Sequence, residues 1–313
     1  MENLESVIGW LLQGDPSIRW QSLRDLTEAD ESEINDARNQ IGHSGWGKEL
    51  LEKQTGDFLW GSGLYNPKWT STTYTLLLLK RMGLTPGNLS VKKSCEILLE
   101  KGLYFGGGIN FFKSLKHSET CVTGMILALA SYFRIIDDRL EVLVNHLLEQ
   151  QLKDGGWNCR SYAGDTHSSF HTTIIVLEAF HDYEIIGRRK REEAKRAQSL
   201  GREFFLNHQM YRSHQTGNVV KAEFSRFSFP PRWYYDVLRG LDYFQAVDAE
   251  FDERLEDAIQ LLQKRKGDDG RWVLQNRHSG KTYFEMETVG EPSHWNTLRA
   301  LRVLKWWNQK IRE

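Results

Sequence analysis

The sequence predicts an all-α fold, read as one domain over residues 1–313 whose helical hairpins close into an (α/α)6 toroid. Three observations predict it. A turn recurs about every fifty residues, at Gln54-Thr-Gly-Asp57-Phe-Leu-Trp60-Gly61, Gln151-Leu-Lys-Asp154-Gly155-Gly156-Trp157 and Gln263-Lys-Arg-Lys-Gly-Asp268-Asp269-Gly270-Arg271-Trp272. An apolar segment of helix length follows each turn, and a charged amphipathic one lies between. No stretch shows the sustained alternation of a half-buried strand.

The apolar helices are expected to start near Asp15-Pro16-Ser17, Trp69, Glu119, Ser168, Arg232 and Ser293. Ser or Asp before the first turn, and Pro within it, are helix-start signals because they satisfy or dispense with the unpaired amides there. Amphipathic helices are expected near residues 3–13, 31–53, 89–101, 138–151, 190–208 and 252–265, with apolar residues at helical spacing, as in Leu140, Leu143, Leu147 and Leu148. Six helices of each kind suit an inner barrel buried all round and an outer one with a wet face. The N-terminal helix would complete the last hairpin, so that no polar caps are needed at open ends.

Composition narrows the function classes. A formal net charge of −1 argues against a general electrostatic role on nucleic acid or membrane. No apolar run is long enough to span a bilayer, and residues 1–13 do not read as a signal peptide. Cys95, Cys121 and Cys159 do not suggest a disulfide framework, so a reduced, cytoplasmic setting is expected.

The starts of the apolar helices are where chemistry is expected, since helix N-termini favour anions and would converge on one mouth of the ring. Trp69, Lys113, Lys116, Glu119, Cys121, His167, His171, Arg232, Tyr235, Asp236 and Trp295 lie at those starts. A carboxylate, a thiolate and an imidazole at Glu119, Cys121 and His171 make a three-ligand zinc set with one open position. Lys113 and Lys116, three apart, can share one side of a turn and grip a diphosphate. Arg232 and Asp236 are four apart and can meet on one helix face. Aromatic residues such as Phe229, Tyr235 and Trp295 suit an isoprenoid chain.

The turn and the helix after it resemble the repeats of terpene cyclases of the squalene–hopene type and of protein prenyltransferase β subunits. Lys113-Ser-Leu-Lys116-His-Ser-Glu119-Thr-Cys121, with His171 one repeat later, resembles the Arg-x-x-Lys-x-x-Asp-x-Cys stretch and later His of the prenyltransferases. The resemblance implies a zinc ion on Glu119, Cys121 and His171, a prenyl diphosphate on Lys113 and Lys116, and a helical partner subunit. The sequence departs from it at Glu119, Lys113 and Trp69, which stand for Asp, Arg and His. Class II cyclases use an Asp-x-Asp-Asp acid, which this chain lacks, so squalene-type cyclisation is not expected. Asp137-Asp138-Arg-Leu-Glu141 imitates a magnesium motif but reads as a charged turn.

Plain structural readings stand beside these. Cys121 suits a small buried residue, Glu119 a helix-dipole partner, and Lys113 and Lys116 a solvated loop. Two other function classes are open: a non-catalytic ligand-binding toroid, and a carbohydrate-active enzyme using Glu119 with Asp165 or Asp236.

Overall fold

In the computed structural model, which describes residues 2–312, the regular elements are helices and the only extended pairings among those residues are isolated bridges. The all-α class read from the sequence therefore holds. The helices are α1 (Glu2–Leu12), α2 (Pro16–Leu26), α3 (Glu31–Asn39), α4 (Gly45–Leu51), α5 (Thr72–Met82), α6 (Leu89–Gly102), α7 (Thr120–Tyr132), α8 (Arg139–Glu149), α9 (Phe170–Ile185), α10 (Arg191–Asn207), α11 (Val237–Ala246), α12 (Glu256–Lys264) and α13 (His294–Lys310). They fall into two compact units. The first comprises the residues up to 53, residues 81–85 and those from 208 onward; the second comprises residues 54–80 and 86–207.

The two kinds of helix differ in burial as their patterns require. In α7 eleven of thirteen residues are buried, so it has no wet face, whereas α8 buries only Leu140, Leu143, Val144 and Leu147. In the second unit α7 packs against α9, and α8 and α10 pack against the same pair. In the first unit α13 packs against both α11 and α2, and Trp10 of α1 stacks on His294 at 3.7 Å. The two ends of the chain thus meet, as the alternation of helices leads one to expect.

The recurring turn is a hydrogen-bonding device. Gln151 Nε2 donates to Gly155 O within its turn and to Ala197 O of α10, while Gln54 Nε2 donates to Ser90 O and Ser94 Oγ of α6. Gly155 has φ +91°, and a Cβ there would stand 2.3 Å from Leu200 O, so the turn requires glycine twice over. Each turn tryptophan then enters the core. Trp157 Nε1 donates to Leu147 O and Trp272 Nε1 to Leu262 O, at 2.7 and 2.8 Å.

The next link joins the turn to the apolar helix. The amides of Trp60, Ile109, Trp157 and Trp272 donate to Oγ1 of Thr72, Thr123, Thr173 and Thr297 at 2.8–3.0 Å. Before α11 the amide of Ser228 donates to Asp236 Oδ2 instead, at 3.0 Å. Each repeat thus satisfies a buried amide with a side chain from the first turn of its apolar helix.

Two boundaries differ from expectation. The helix expected over 31–53 is two, α3 and α4, divided by a 3-10 turn at Gln40–Gly42. Asp15 explains the break: it caps α2 through Ser17 N and also accepts the amide of Trp46, reaching it only because Gly45 has no Cβ. The helix expected from Arg232 begins instead at Val237, capped by Asp236.

A buried ionic cluster ties the first unit together. Asp242 of α11 accepts from Arg302 Nε at 2.6 Å and Arg299 Nε at 3.3 Å, both on α13, and Arg302 reaches Asp25 of α2 at 3.2 Å. Burial alone would raise the Asp242 carboxyl, but Arg302 and Arg299 outweigh it and hold it below its ordinary 3.8. A carboxyl depressed in the folded state adds stability that is full above its unfolded pKa and is lost as pH falls through the folded one. Urea unfolding of wild type should weaken below about pH 4 partly through this site. Asp242→Asn should cost about 3 kcal/mol at pH 7, because it leaves the buried Arg299 without its carboxylate and Arg302 with Asp25 alone, and progressively less at lower pH. A pH-independent difference between the two proteins would remove the cluster from this role.

Candidate functional site

The starts of α7 and α9 in the second unit gather most of the residues singled out in the sequence. Position by position, Glu119, Ser169 and Ser293 are equivalent. Each precedes its helix and donates its amide back to the turn, to Ile109 O, Trp157 O and Trp272 O. Ser169 and Ser293 cap their helices through Thr172 N and Asn296 N, as Asp15 and Asp236 cap α2 and α11. Glu119 makes no capping bond. Its Oε2 is buried without a hydrogen-bond partner, and burial holds its carboxyl above the ordinary 4.5. A carboxyl in a capping position that does not cap, and that is left under-satisfied, contradicts the local rule its neighbours obey.

Aromatic rings from two segments form a cluster that includes Tyr65, whose hydroxyl feels the charge of this carboxyl. Tyr65 lies 5.2 Å from Tyr74, 6.2 Å from Phe111 and 5.6 Å from Phe112, and Trp69 meets Tyr74 edge-on at 4.8 Å. Tyr74 and Tyr65 share a hydrogen bond of 2.9 Å between their hydroxyls. Burial, with the nearby charge of Glu119 adding to it, pushes the Tyr65 hydroxyl up to about 12, so this phenol is neutral at physiological pH. Trp69, buried, is the one member of this set that the sequence singled out. Tyr65, Tyr74, Phe111 and Phe112 were missed, although the aromatic pair beside Lys113 was a visible signal.

Asn110 shapes the loop that carries Phe111, Phe112, Lys113 and Lys116. Its Oδ1 accepts from Phe112 N at 2.7 Å and its Nδ2 donates to Leu115 O at 2.9 Å, an Asx turn that folds residues 110–115 on themselves. Lys113 and Lys116 are exposed on this loop, with no ion-pair partner among the described residues. His117 stacks on Tyr162 at 3.5 Å.

The zinc set is corrected here. Cys121 is joined to Cys159 in a disulfide, Cα–Cα 5.8 Å, which removes the thiolate a metal requires and departs from the expectation of unpaired, reduced cysteines. Among the described residues no three His, Cys, Asp or Glu side chains are grouped so as to hold an ion. The residues present therefore do not fit zinc. His171 is half-buried in the first turn of α9, and His167 is exposed, its carbonyl accepting from Asn158 Nδ2 at 2.7 Å. Asp165 pairs with the exposed Arg160 at 3.1 Å. The charged turn is ion-paired throughout: Asp137 with Arg139, and Asp138 and Glu141 with Arg188.

The remaining candidates lie in the first unit and have structural work. Asp236 accepts from Arg239 N, Ser228 N and Ser228 Oγ, the last at 2.7 Å. Arg232 lies before α11 begins, in the left-handed region at φ +54°, so the expected helical relation between Arg232 and Asp236 does not exist. Tyr235 donates its hydroxyl to Met210 O at 2.6 Å, and Trp295 stacks on Phe229 at 4.0 Å. His278, not singled out in the sequence, bonds Ser228 Oγ at 3.2 Å and stacks on Tyr234; burial pushes it down to about 4, so it is neutral.

No family model matches the sequence, and no curated protein matches it. Solved structures do. Over 98% of this chain and 99% of the other, it is similar to the crystal structure of a protein from Actinoplanes, with 15% identity and a TM-score of 0.51. It is also similar to the type II terpene cyclase MstE from Scytonema. The R337A form of MstE, in complex with geranylgeranyl dihydroxybenzoate, matches with 16% identity, 99% and 97% coverage and a TM-score of 0.49; the apo form matches with 15%, 98% and 96%, and 0.48. At these identities the likeness is one of fold.

Proposed function

We propose that the second unit binds an isoprenoid diphosphate, with the hydrocarbon chain against Tyr65, Trp69, Tyr74, Phe111 and Phe112 and the diphosphate at Lys113 and Lys116. The observation that carries this is Glu119, a half-buried carboxyl whose Oε2 has no hydrogen-bond partner among the described residues, whose charge reaches Tyr65 of the aromatic cluster, and which follows the loop that exposes Lys113 and Lys116. Burial raises the pKa of Glu119, which widens the pH range over which the neutral form, able to donate a hydrogen bond to an anionic head, is populated. The MstE complex holds geranylgeranyl dihydroxybenzoate, which shares a prenyl chain with the proposed ligand but not its diphosphate. Prenyl transfer through zinc is not part of this reading, because the cysteine it needs is bonded to sulfur. Prenyl transfer to a protein would also need the helical partner subunit that the sequence resemblance implies, and binding alone is proposed.

Titration calorimetry with geranylgeranyl diphosphate, geranylgeraniol and inorganic diphosphate tests it. Lys113→Ala and Lys116→Ala should each weaken the prenyl diphosphate by about fivefold, the worth of a solvent-exposed charge-assisted bond, and leave the alcohol unchanged. Equal binding of all three ligands by wild type and both variants would defeat the reading.

Glu119 should show a trade between stability and binding. Glu119→Ser restores the cap found at Ser169 and Ser293 and should raise the unfolding free energy by about 1 kcal/mol while weakening the ligand. Affinity for the diphosphate should also fall as pH rises through the elevated pKa of Glu119, because the carboxylate formed there repels the head group. Glu119→Gln, which cannot ionise, should lack that component, and the difference between the two pH profiles isolates it from titration of the ligand. Superimposable profiles would show that Glu119 does not face the diphosphate.

A further inference from the structure

Cys121 lies two residues after Glu119, and His117 two residues before it. Both are tied to one segment: Cys121 to Cys159 through the disulfide, and His117 to Tyr162 through the stacked rings. The pairings 121 with 159 and 117 with 162 run antiparallel, so Arg160 and Ser161 fall between the two tethers, in register with Glu119. The segment has few other attachments. Asn158 Nδ2 holds His167 O, Cys159 N reaches Thr172 Oγ1 at 3.3 Å, and Arg160 pairs with Asp165 across its own loop. Tyr162, Ala163, Gly164, Thr166 and His167 are exposed. Ser161 Oγ also donates to Gln150 Oε1 at 3.0 Å and Ser168 N to Asp154 Oδ2 at 2.8 Å, so the disulfide and the ring contact are the two attachments to the residues flanking Glu119 rather than the segment's only anchors.

We propose that the Cys121–Cys159 pair is a thiol–disulfide site that straps residues 158–168 across Glu119 and is opened by a dithiol reductant. Both cysteines are half-buried, within reach of a small reagent. Cys121 sits in the first turn of α7, a position that favours a thiolate and makes its sulfur the better leaving group. A thiolate of the reductant attacks Sγ of Cys159, the Cys121–Cys159 bond breaks, and Cys121 leaves as thiolate. The second thiolate of the reductant then attacks the mixed disulfide and releases Cys159. The dithiol is oxidised to a disulfide by two electrons, the two cysteines are reduced by the same two, and the two protons pass from the reductant to the pair. Cys95 takes no part: it is fully buried, and burial pushes its thiol up, away from the reactive thiolate. The consequence for ligand exchange rests on the binding reading above; the strap itself does not.

Trypsin reports on the strap directly, because the exposed Arg160 lies inside it. Full-length protein equilibrated with oxidised glutathione should yield one alkylatable thiol when unfolded, Cys95, and three after treatment with dithiothreitol. Cleavage after Arg160 should be about tenfold faster in the reduced protein, since a segment freed from its covalent tether opens more often. The Cys121→Ser, Cys159→Ser double variant should be cut at the fast rate with or without dithiothreitol. Three thiols after oxidised glutathione, or cleavage after Arg160 at one rate in both redox states of wild type, would overturn the proposal. A separate arm measures release of geranylgeranyl diphosphate by stopped flow. Faster release on reduction supports the gate; release at one rate in both states overturns gating. Absence of binding in both states refutes the binding reading, while the cleavage rates continue to decide the strap.

Discussion

Helices that are buried all round must satisfy their first-turn amides, and the amides of the chain entering them, without water. This constraint organises the chain. The turn tryptophans lie in the core, their ring nitrogens donate to the end of the helix before, and their backbone amides donate to a threonine of the helix after. One repeat is thereby locked to the next by two directional bonds as well as by apolar contact. The Ile109 repeat keeps the backbone bond to Thr123 but has no indole to donate. The repeat before α11 replaces threonine with Asp236, which serves both as the acceptor for Ser228 and as the helix cap. The variations are in the side chains, while the pattern of satisfied amides persists.

That pattern separates structural from functional polar residues more sharply than residue type does. Asp236 is buried, acidic and at a helix start, which makes it an attractive candidate for chemistry, yet its oxygens accept from two amides and a hydroxyl. Glu119 has the same credentials and a different fate. The amide of Cys121, in the turn Glu119 would cap, points at Sγ of Cys159, and Glu119 Oε2 is left in a dry position without a partner. An under-satisfied buried carboxyl lowers stability. The serine its sister repeats carry would supply the cap that Glu119 does not.

The turns at residues 54–61, 151–157 and 263–272 were legible because glycine, aspartate and tryptophan at fixed offsets are what that geometry demands. So was the distinction between fully buried and one-faced helices, which periodicity encodes directly. The break between α3 and α4 was not, because it depends on Asp15 reaching Trp46 from thirty residues away, through the gap left by Gly45. The start of α11 was hidden for a similar reason. Arg232 reads as helical at its spacing from Asp236, and only the bond between Asp236 and Ser228 places the boundary after it. At the site, the sequence singled out Glu119 and Cys121 for zinc and the two lysines for a diphosphate, but the disulfide to Cys159 takes up the sulfur that such a zinc would need. Cys159 is thirty-eight residues from Cys121, a pairing that no local rule reveals.

The disulfide and the carboxyl belong to one argument. The proposed strap of residues 158–168 beside α7 would add to the desolvation that raises the pKa of Glu119. It also engages the amide of Cys121, in the turn where a cap would otherwise bond. A free chain end or a loosely packed loop would let the carboxyl turn to solvent or fold back on its own helix, and either would return it to an ordinary acid. Under the strap proposal the surroundings of Glu119 depend on a tertiary tether, and that tether is a bond that redox chemistry, without any change in sequence, can break.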